Sequence, residues 1–430
     1  MYSIVSQLIE MTDNKPKLLW IGDIVATTGF ARVTENVLSR LKDKYEIHVL
    51  GCNWHGDYTP LQEEYFMYPA SNRFQQAPFG EDRIRELVER IRPNVVFTIN
   101  DSWIINEQWR RIADLRDQLK FKFVGYYPMD SYEWYGALID TLNEWDAAIC
   151  YTEFGAQETI NAGARVPITV IPHGMTPKQF YPTDKNKARK ELGLNPEDFI
   201  VFNGNRNQFR KRIDITISAF AKFAVGRPDA KLYLHMGLKD QGWDVMPLFG
   251  REMARQGLDP NNRIIMTTPH PHPPSVSVEM LNTIYNVADV GVNTCKGEGW
   301  GLVNFEHAAC RVAQVVPDHT SCKEIFDGTG ELIRSLHADV DTNFGRIMPC
   351  PDDNHLAQIL GDLYDNRDKL QQVAQACYER VTDTCFDWET VASQFDGVFQ
   401  EVLAKQEEEA PRIVKPKAKN KKKELASSAK

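Results

Sequence analysis

Glu298 and Glu306 stand seven residues apart in Gly297-Glu298-Gly299-Trp300-Gly301-Leu302-Val303-Asn304-Phe305-Glu306. Glu298 falls in a turn with three glycines, which offers bare backbone N–H groups and little steric bulk. Glu306 falls in the apolar run Phe305 to Ala309, which predicts the beginning of a helix. A helix start adds unpaired N–H groups and the positive end of a dipole. Such a junction suits a phosphorylated or polyhydroxylated ligand, with one carboxylate gripping hydroxyls at each end. A second cluster, Asn203 to Asp214, gathers Arg206, Arg210, Lys211 and Arg212 within seven residues. Four cations so close repel one another unless an anion is held among them. A third candidate is Gly22-Asp23 with Thr27-Thr28-Gly29-Phe30-Ala31, where glycine lets backbone approach a ligand. Its spacing is not G-x-G-x-x-G, so a nicotinamide fingerprint is not supported.

The elements that must position these residues alternate along the chain. Lys17 to Gly22, Tyr45 to Leu50, Asn94 to Asn100, Phe121 to Tyr127, Ala147 to Cys150 and Ile168 to Ile171 read as strands. Ala31 to Leu41 and Arg83 to Ile91 have helical apolar spacing. Pro172-His173-Gly174, Pro177 and Pro182 break the series, and the junction falls at about 175–195. Strands restart at Phe199 to Gly204, Lys231 to Met236, Arg263 to Thr267 and Asp289 to Thr294, with a helix at Asp214 to Phe223. Strand–helix alternation implies parallel βαβ units, and two such runs predict an α/β protein of two doubly wound Rossmann-like domains. The ligand then belongs between them, at the carboxyl ends of strands. The expected divisions are an extension at 1–16, domains at 17–180 and 190–380, and a last helix at 386–405.

The 430 residues, 42% hydrophobic and 25% charged, suit a soluble protein of about two or three domains. No apolar run approaches the roughly 20 residues of a membrane span. The first residues lack a basic region followed by a long apolar core, so a cytoplasmic location is expected. Eight cysteines form no C-x-x-C pair and read as reduced thiols. A net charge of −9 argues against a general nucleic-acid binder. The segment 406–430 carries a run of lysines with Pro411 and Pro416 and is expected to be disordered. Such a tail suits an anionic polymer or a membrane surface.

The Glu298 to Glu306 stretch resembles the E-x7-E signature of retaining glycosyltransferases, above all the large family 4 of the GT-B fold. Arg206 and Lys211 resemble the arginine and lysine of that family's G-R-x4-K-G pattern, though Arg212 replaces the final glycine. Ala308 to Val316 is similar to its A-x-A-C-G-x-P-V-V run, departing at Arg311 and Ala313. Ile171-Pro172-His173-Gly174 and Leu281, Tyr285, Ala288 and Asp289 fit two weaker patterns of the family. The resemblance covers about residues 17–404. It implies a nucleotide-diphosphate sugar as co-substrate and no metal. By that resemblance Arg206 and Lys211 offset charge on the leaving diphosphate, and Glu298 positions the donor sugar. Gly29, Gly299, Trp300, Gly301, Leu302 and Glu306 complete the donor site, with Glu306 on the ribose. The last helix is expected to cross back onto the N-terminal domain.

Many relatives carry a histidine near Tyr127-Pro128-Met129-Asp130; here Asp130 is the nearest polar candidate. Asp101, after Asn100, is another, and either carboxylate suits an acceptor hydroxyl or a helix cap. His173 reads as structural rather than catalytic. Asp339-Val340-Asp341 has a D-x-D form but reads as a surface loop, as does His270-Pro271-His272, so neither is expected to hold a metal. The acceptor is left open among saccharide, lipid, protein and DNA. Trp20-Ile21-Gly22-Asp23 with Gly29-Phe30-Ala31-Arg32-Val33 also resembles transferases of phages and large viruses, which makes a modified DNA base one alternative acceptor. A sugar-nucleotide epimerase, or an inactive sugar-nucleotide-binding relative on the same fold, is the other alternative.

Overall fold

The computed structural model describes residues 15–26, 28–71 and 77–409. Thr27 of the first glycine loop, residues 1–14 of the expected extension and 410–430 of the basic tail lie outside the described residues.

Strand-forming runs that are apolar almost throughout belong in sheets covered on both faces. The first half forms β1 (Lys17–Asp23), α1 (Gly29–Leu41), β2 (Glu46–Cys52), β3 (Phe66–Pro69), α2 (Ile84–Ile91), β4 (Val95–Ile99), α3 (Ser102–Arg110), α4 (Arg116–Leu119), β5 (Lys122–Tyr127), β6 (Ala147–Cys150), α5 (Glu153–Asn161) and β7 (Ile168–Val170). The seven strands pair in the order β3-β2-β1-β4-β5-β6-β7, all parallel. Every residue of β4 and β5 is buried.

The second half forms α6 (Lys185–Glu191), β8 (Phe199–Asn203), α7 (Ile213–Phe223), β9 (Ala230–Leu234), α8 (Val245–Arg255), β10 (Ile264–Met266), α9 (Val278–Asn286), β11 (Val290–Val292), α10 (Leu302–Ala308), β12 (Ala313–Pro317), α11 (Thr320–Phe326) and β13 (Glu331–Ile333). Its sheet runs β10-β9-β8-β11-β12-β13, again all parallel. The predicted architecture of two doubly wound parallel sheets is what the chain builds. In each sheet the order reverses beside the first strand, between β1 and β4 and between β8 and β11, and ligands bind outside such a point.

The hairpin β14 (Ser335–Val340) and β15 (Ile347–Pro351) is antiparallel and separate from both sheets. It reaches the N-terminal half through a two-way backbone bridge, Tyr132 to Ile347, with both N···O distances 3.0 Å. Asp339 therefore sits in a strand and not in a surface loop. The chain ends with α12 (Asp353–Asp365), α13 (Arg367–Val381) and α14 (Trp388–Glu409). α14 begins two residues later than expected and crosses back to pack along α1. Its buried Val391, Phe395, Val398, Phe399 and Val402 follow helical spacing. Phe395 meets Tyr126 and Phe97 edge-on, at 5.1 and 5.7 Å between ring centres. Lys44 pairs with Asp396 at 2.6 Å across that contact.

Arg212 and Arg311, which stand where the resembling family has glycine, both adopt left-handed backbone, at φ 48° and 58°. The turn is thus kept and the strain carried by a side chain. The Arg311 guanidinium lies 4.7 Å from the centre of the Tyr378 ring. Left-handed backbone costs an L-residue roughly 1–2 kcal/mol. Arg311→Gly should therefore leave urea-unfolding stability within about 1 kcal/mol of wild type, because strain relief offsets the lost ring contact. Arg311→Val, β-branched at positive φ, should lower it by about 2 kcal/mol or more.

Candidate active site

The two reversal points face each other across a cleft of about 560 Å³. Gly29, Asp101 and Asp130 reach it from the first sheet, and Arg206, Lys211, Glu298, Gly299, Trp300, Gly301 and Leu302 from the second. Of the residues assigned from sequence to the donor and acceptor sites, Glu306 is the one outside this lining.

The floor on the C-terminal side is a buried set of charges. The turn Phe209 to Lys211 follows β8 and is pinned to the end of β11, since Thr294 donates its hydroxyl to the carbonyls of Lys211 and Arg212 at 3.2 and 2.8 Å. That places the Lys211 ammonium in contact with the Glu298 carboxylate. Arg210 lies 3.4 Å from Glu298 and 3.6 Å from Asp130, so one guanidinium bridges both walls. Asn293 donates to Glu298 at 3.4 Å, and Ser321 donates to its carbonyl at 2.8 Å. Burial works to raise the Glu298 carboxyl, but Lys211 and Arg210 outweigh it and hold it at about 2. That stability is present above the ordinary carboxylate range and is lost as pH falls toward 2. For Arg210, Glu298 and Asp130 overcome a burial effect that alone would lower its pKa.

The diphosphate pair inferred from sequence is only half committed to the floor. Arg206 lines the cleft at its exposed rim, where Asp240 holds it at 2.6 Å. Arg210, which the sequence presented only as one cation of four, is the guanidinium on the floor. No local signal separates the two, because the choice depends on Asp130 of the other domain. Arg212 points away: it pairs with Asp214 at 2.9 Å and donates to the Cys350 sulfur at 2.7 Å.

Glu306 sits one helical turn into α10, which begins at Leu302 rather than Phe305. It is buried against Arg32 of α1, so the ion pair joins the two domains. The Tyr285 hydroxyl donates to it at 3.4 Å. Burial lowers the pKa of Arg32. The glycines permit close approach here. A Cβ on Gly297 would strike the Asp130 carbonyl, one on Gly299 would strike Pro128, and one on Gly29 would lie 2.7 Å from Leu302. The three-glycine turn is therefore the seam between domains as well as a source of N–H groups.

The opposite wall is acidic. Asp101 precedes α3 without capping it. Asp130 accepts from Arg346 at 3.0 Å. Arg346 comes from the β14–β15 hairpin, stacks 4.9 Å from the Trp134 ring and pairs with Asp341 at 3.3 Å. Asp23 accepts from Thr28 at 2.7 Å and from Asn53 at 2.8 Å. Between the walls, His173 packs 4.4 Å from Tyr151 and 5.2 Å from Trp300, ring centre to ring centre. Burial lowers the His173 pKa to about 3, so it is neutral at physiological pH.

The histidines of His270-Pro271-His272 lie exposed beyond β10. His337, Asp339 and Cys350 place donor atoms within 4.8 Å of one another. Lys296 pairs with Asp339 at 3.1 Å and Arg212 contacts Cys350, so two resident cations already compensate that cluster.

Burial, and then Asp130, raise the Asp101 carboxyl to about 6. Its protonated form is favoured by folding, so that contribution is complete below about pH 4 and is lost as pH rises through 6. Asp101→Asn should stabilise the protein at pH 7 by up to about 2–3 kcal/mol. In thermal unfolding the gain should shrink as pH falls to 4.

No protein-family model matches the chain. In sequence it is 30% identical over 143 residues to a D-inositol 3-phosphate glycosyltransferase of Segniliparus rotundus, covering 33% of this chain and 30% of that one. It is 28% identical over 174 residues to the lipopolysaccharide core biosynthesis mannosyltransferase LpsB of Rhizobium meliloti, covering 39% of this chain and 45% of that one. The matches thus span less than half the length of these relatives. In structure it resembles sucrose-phosphate synthase from Thermosynechococcus elongatus, with a TM-score of 0.67 and 18% identity over 91% of this chain and 100% of that one. It equally resembles Anabaena HepE in complex with UDP and glucose, with a TM-score of 0.67 and 16% identity over 90% of this chain and 100% of that one. The chain carries the GT-B fold, and the proteins it resembles in sequence are glycosyltransferases.

Proposed function

We propose that this protein is a metal-independent, retaining glycosyltransferase that draws on a nucleotide-diphosphate sugar, with a UDP-sugar as the first candidate. The observation that carries the reading is the position of Lys211, Arg210 and Glu298 on the floor of a cleft between two Rossmann-like sheets. UDP is favoured because a structural neighbour with 90% coverage of this chain was solved with UDP and glucose.

Transfer breaks the bond between the sugar C1 and the β-phosphate oxygen and forms one from C1 to the acceptor oxygen. Negative charge grows on the departing diphosphate. Fixed cations aimed at that charge lower the barrier without reorganising. Lys211 and Arg210 supply them from the floor and Arg206 from the rim, which makes a divalent ion dispensable. In the retaining course the acceptor attacks on the face from which the diphosphate leaves, and its proton passes to the departing phosphate oxygen. Glu298 orients the sugar hydroxyls, and the glycine seam brings the walls together to exclude water. Glu306 is assigned to the ribose hydroxyls, for which it must exchange Arg32.

A thermal-shift screen with UDP, GDP, ADP and their sugars identifies the donor, and UDP-sugars are expected to stabilise the protein. With that donor, Lys211→Ala and Glu298→Gln should each lower nucleotide release by at least about 100-fold, with far-UV circular dichroism unchanged. Turnover near wild type in both variants removes the assignment.

A further inference from the structure

We propose that the N-terminal wall of the cleft is a subsite for an uncharged, hydroxyl-rich saccharide acceptor, held by Asp101, Asp130, Tyr151 and His173. The inference rests on the donor reading above and names the class of group that receives the sugar.

The first observation is the sign of the charge. Among the described residues lining the cleft, the N-terminal half contributes Asp23, Asp101 and Asp130 and no lysine or arginine. The cations lie on the opposite wall and floor, where Arg206 and Lys211 have their carboxylate partners. Two guanidiniums approach this wall and each is shared, Arg346 between Asp130 and Asp341 and Arg210 between Asp130 and Glu298. A phosphate, sulfate or carboxylate on the acceptor would meet carboxylates without a free cation, and like charges at close range repel strongly in a partly desolvated cleft. A hydroxyl donates to the same groups.

The second observation is independent of charge. Tyr151 and His173 are each only 3% exposed and both line the cleft. The Tyr151 hydroxyl and both ring nitrogens of His173 have no hydrogen-bond partner, and neither does Nε1 of the adjoining Trp300. Buried polar groups are nearly always paired, and leaving one unpaired is costly. Four such atoms on three rings packed together mark a surface that is completed by a ligand or the water it displaces. Aromatic faces edged with polar atoms and carboxylates suit a sugar ring, which presents apolar C–H faces and a rim of hydroxyls. Asp101, half-buried in the same lining, has no hydrogen bond to its carboxyl oxygens among the described residues.

The test uses the full chain with saturating UDP on a glycan array. The array carries neutral oligosaccharides, the phosphorylated, sulfated and uronic-acid counterparts, and a duplex DNA. Neutral glycans should bind in preference to their anionic counterparts and to DNA. Asp101→Asn and Tyr151→Phe should each weaken that binding by at least about 10-fold while UDP affinity measured by calorimetry holds. Asp101→Asn is expected to fold at least as stably as wild type, and Tyr151→Phe keeps the ring. Tighter binding of anionic glycans or DNA overturns the inference. So does capture of no glycan by a protein that binds UDP, or unchanged glycan binding in both variants. Failure to bind any nucleotide in the absence of glycan counts against the donor reading instead.

Discussion

The interaction on which the rest of the site depends is the contact between the Lys211 ammonium and the Glu298 carboxylate, with Arg210 alongside and Asp130 beyond it. All four groups come from chain segments that follow strands; Lys211 and Glu298 are 87 residues apart within one domain, and Arg210 reaches Asp130 in the other. Buried charges are tolerated only when paired, and removing one partner of such a pair typically costs about 3–5 kcal/mol. The set therefore constrains three things at once. It fixes the turn after β8, it fixes the glycine turn after β11, and it draws the N-terminal wall against them through Asp130. A diphosphate entering this place would compete with carboxylates for the same cations. That competition ties donor binding to the fit between domains.

The fold makes the arrangement available through symmetry of topology rather than of sequence. Both sheets reverse order beside their first strand, so both place loops at the same relative position, and facing them produces one cleft lined from two reversal points. α14 ties the halves together at one side by inserting Phe395 and Phe399 against the first sheet. The β14–β15 hairpin ties them at another, through Tyr132 and Arg346. The Arg32–Glu306 and Arg210–Asp130 pairs and the glycine seam add further contacts between the domains.

Much of this was legible in the sequence wherever the physics is local. Fully buried parallel strands read as nearly continuous apolar runs, as in Val95–Ile99 and Phe199–Asn203. The glycine turn was visible because close approach to Asp130 and Pro128 excludes side chains at Gly297 and Gly299. The left-handed turns at Arg212 and Arg311 were not legible, because arginine gives no sign of positive φ. Arg210 could not be told from Arg206, and Arg32 could not be matched to Glu306, because each pairing joins segments far apart in the chain. The hairpin was missed although Ser335 to Val340 alternates polar and apolar residues, because Asp339-Val340-Asp341 read as a loop and the apolar side chains Leu336 and Val340 are left exposed. Asp101 and Asp130 were found as carboxylates after strands, but the sign of the whole wall emerges only when the strands are set side by side.

The most direct measurement is a crystal structure of the protein with UDP bound. The account predicts diphosphate oxygens about 3 Å from Lys211 Nζ and from the guanidinium of Arg206 or Arg210, and ribose hydroxyls on Glu306 with Arg32 turned aside. A diphosphate seated away from Lys211, or a ribose bound elsewhere while Arg32 stays on Glu306, would contradict it.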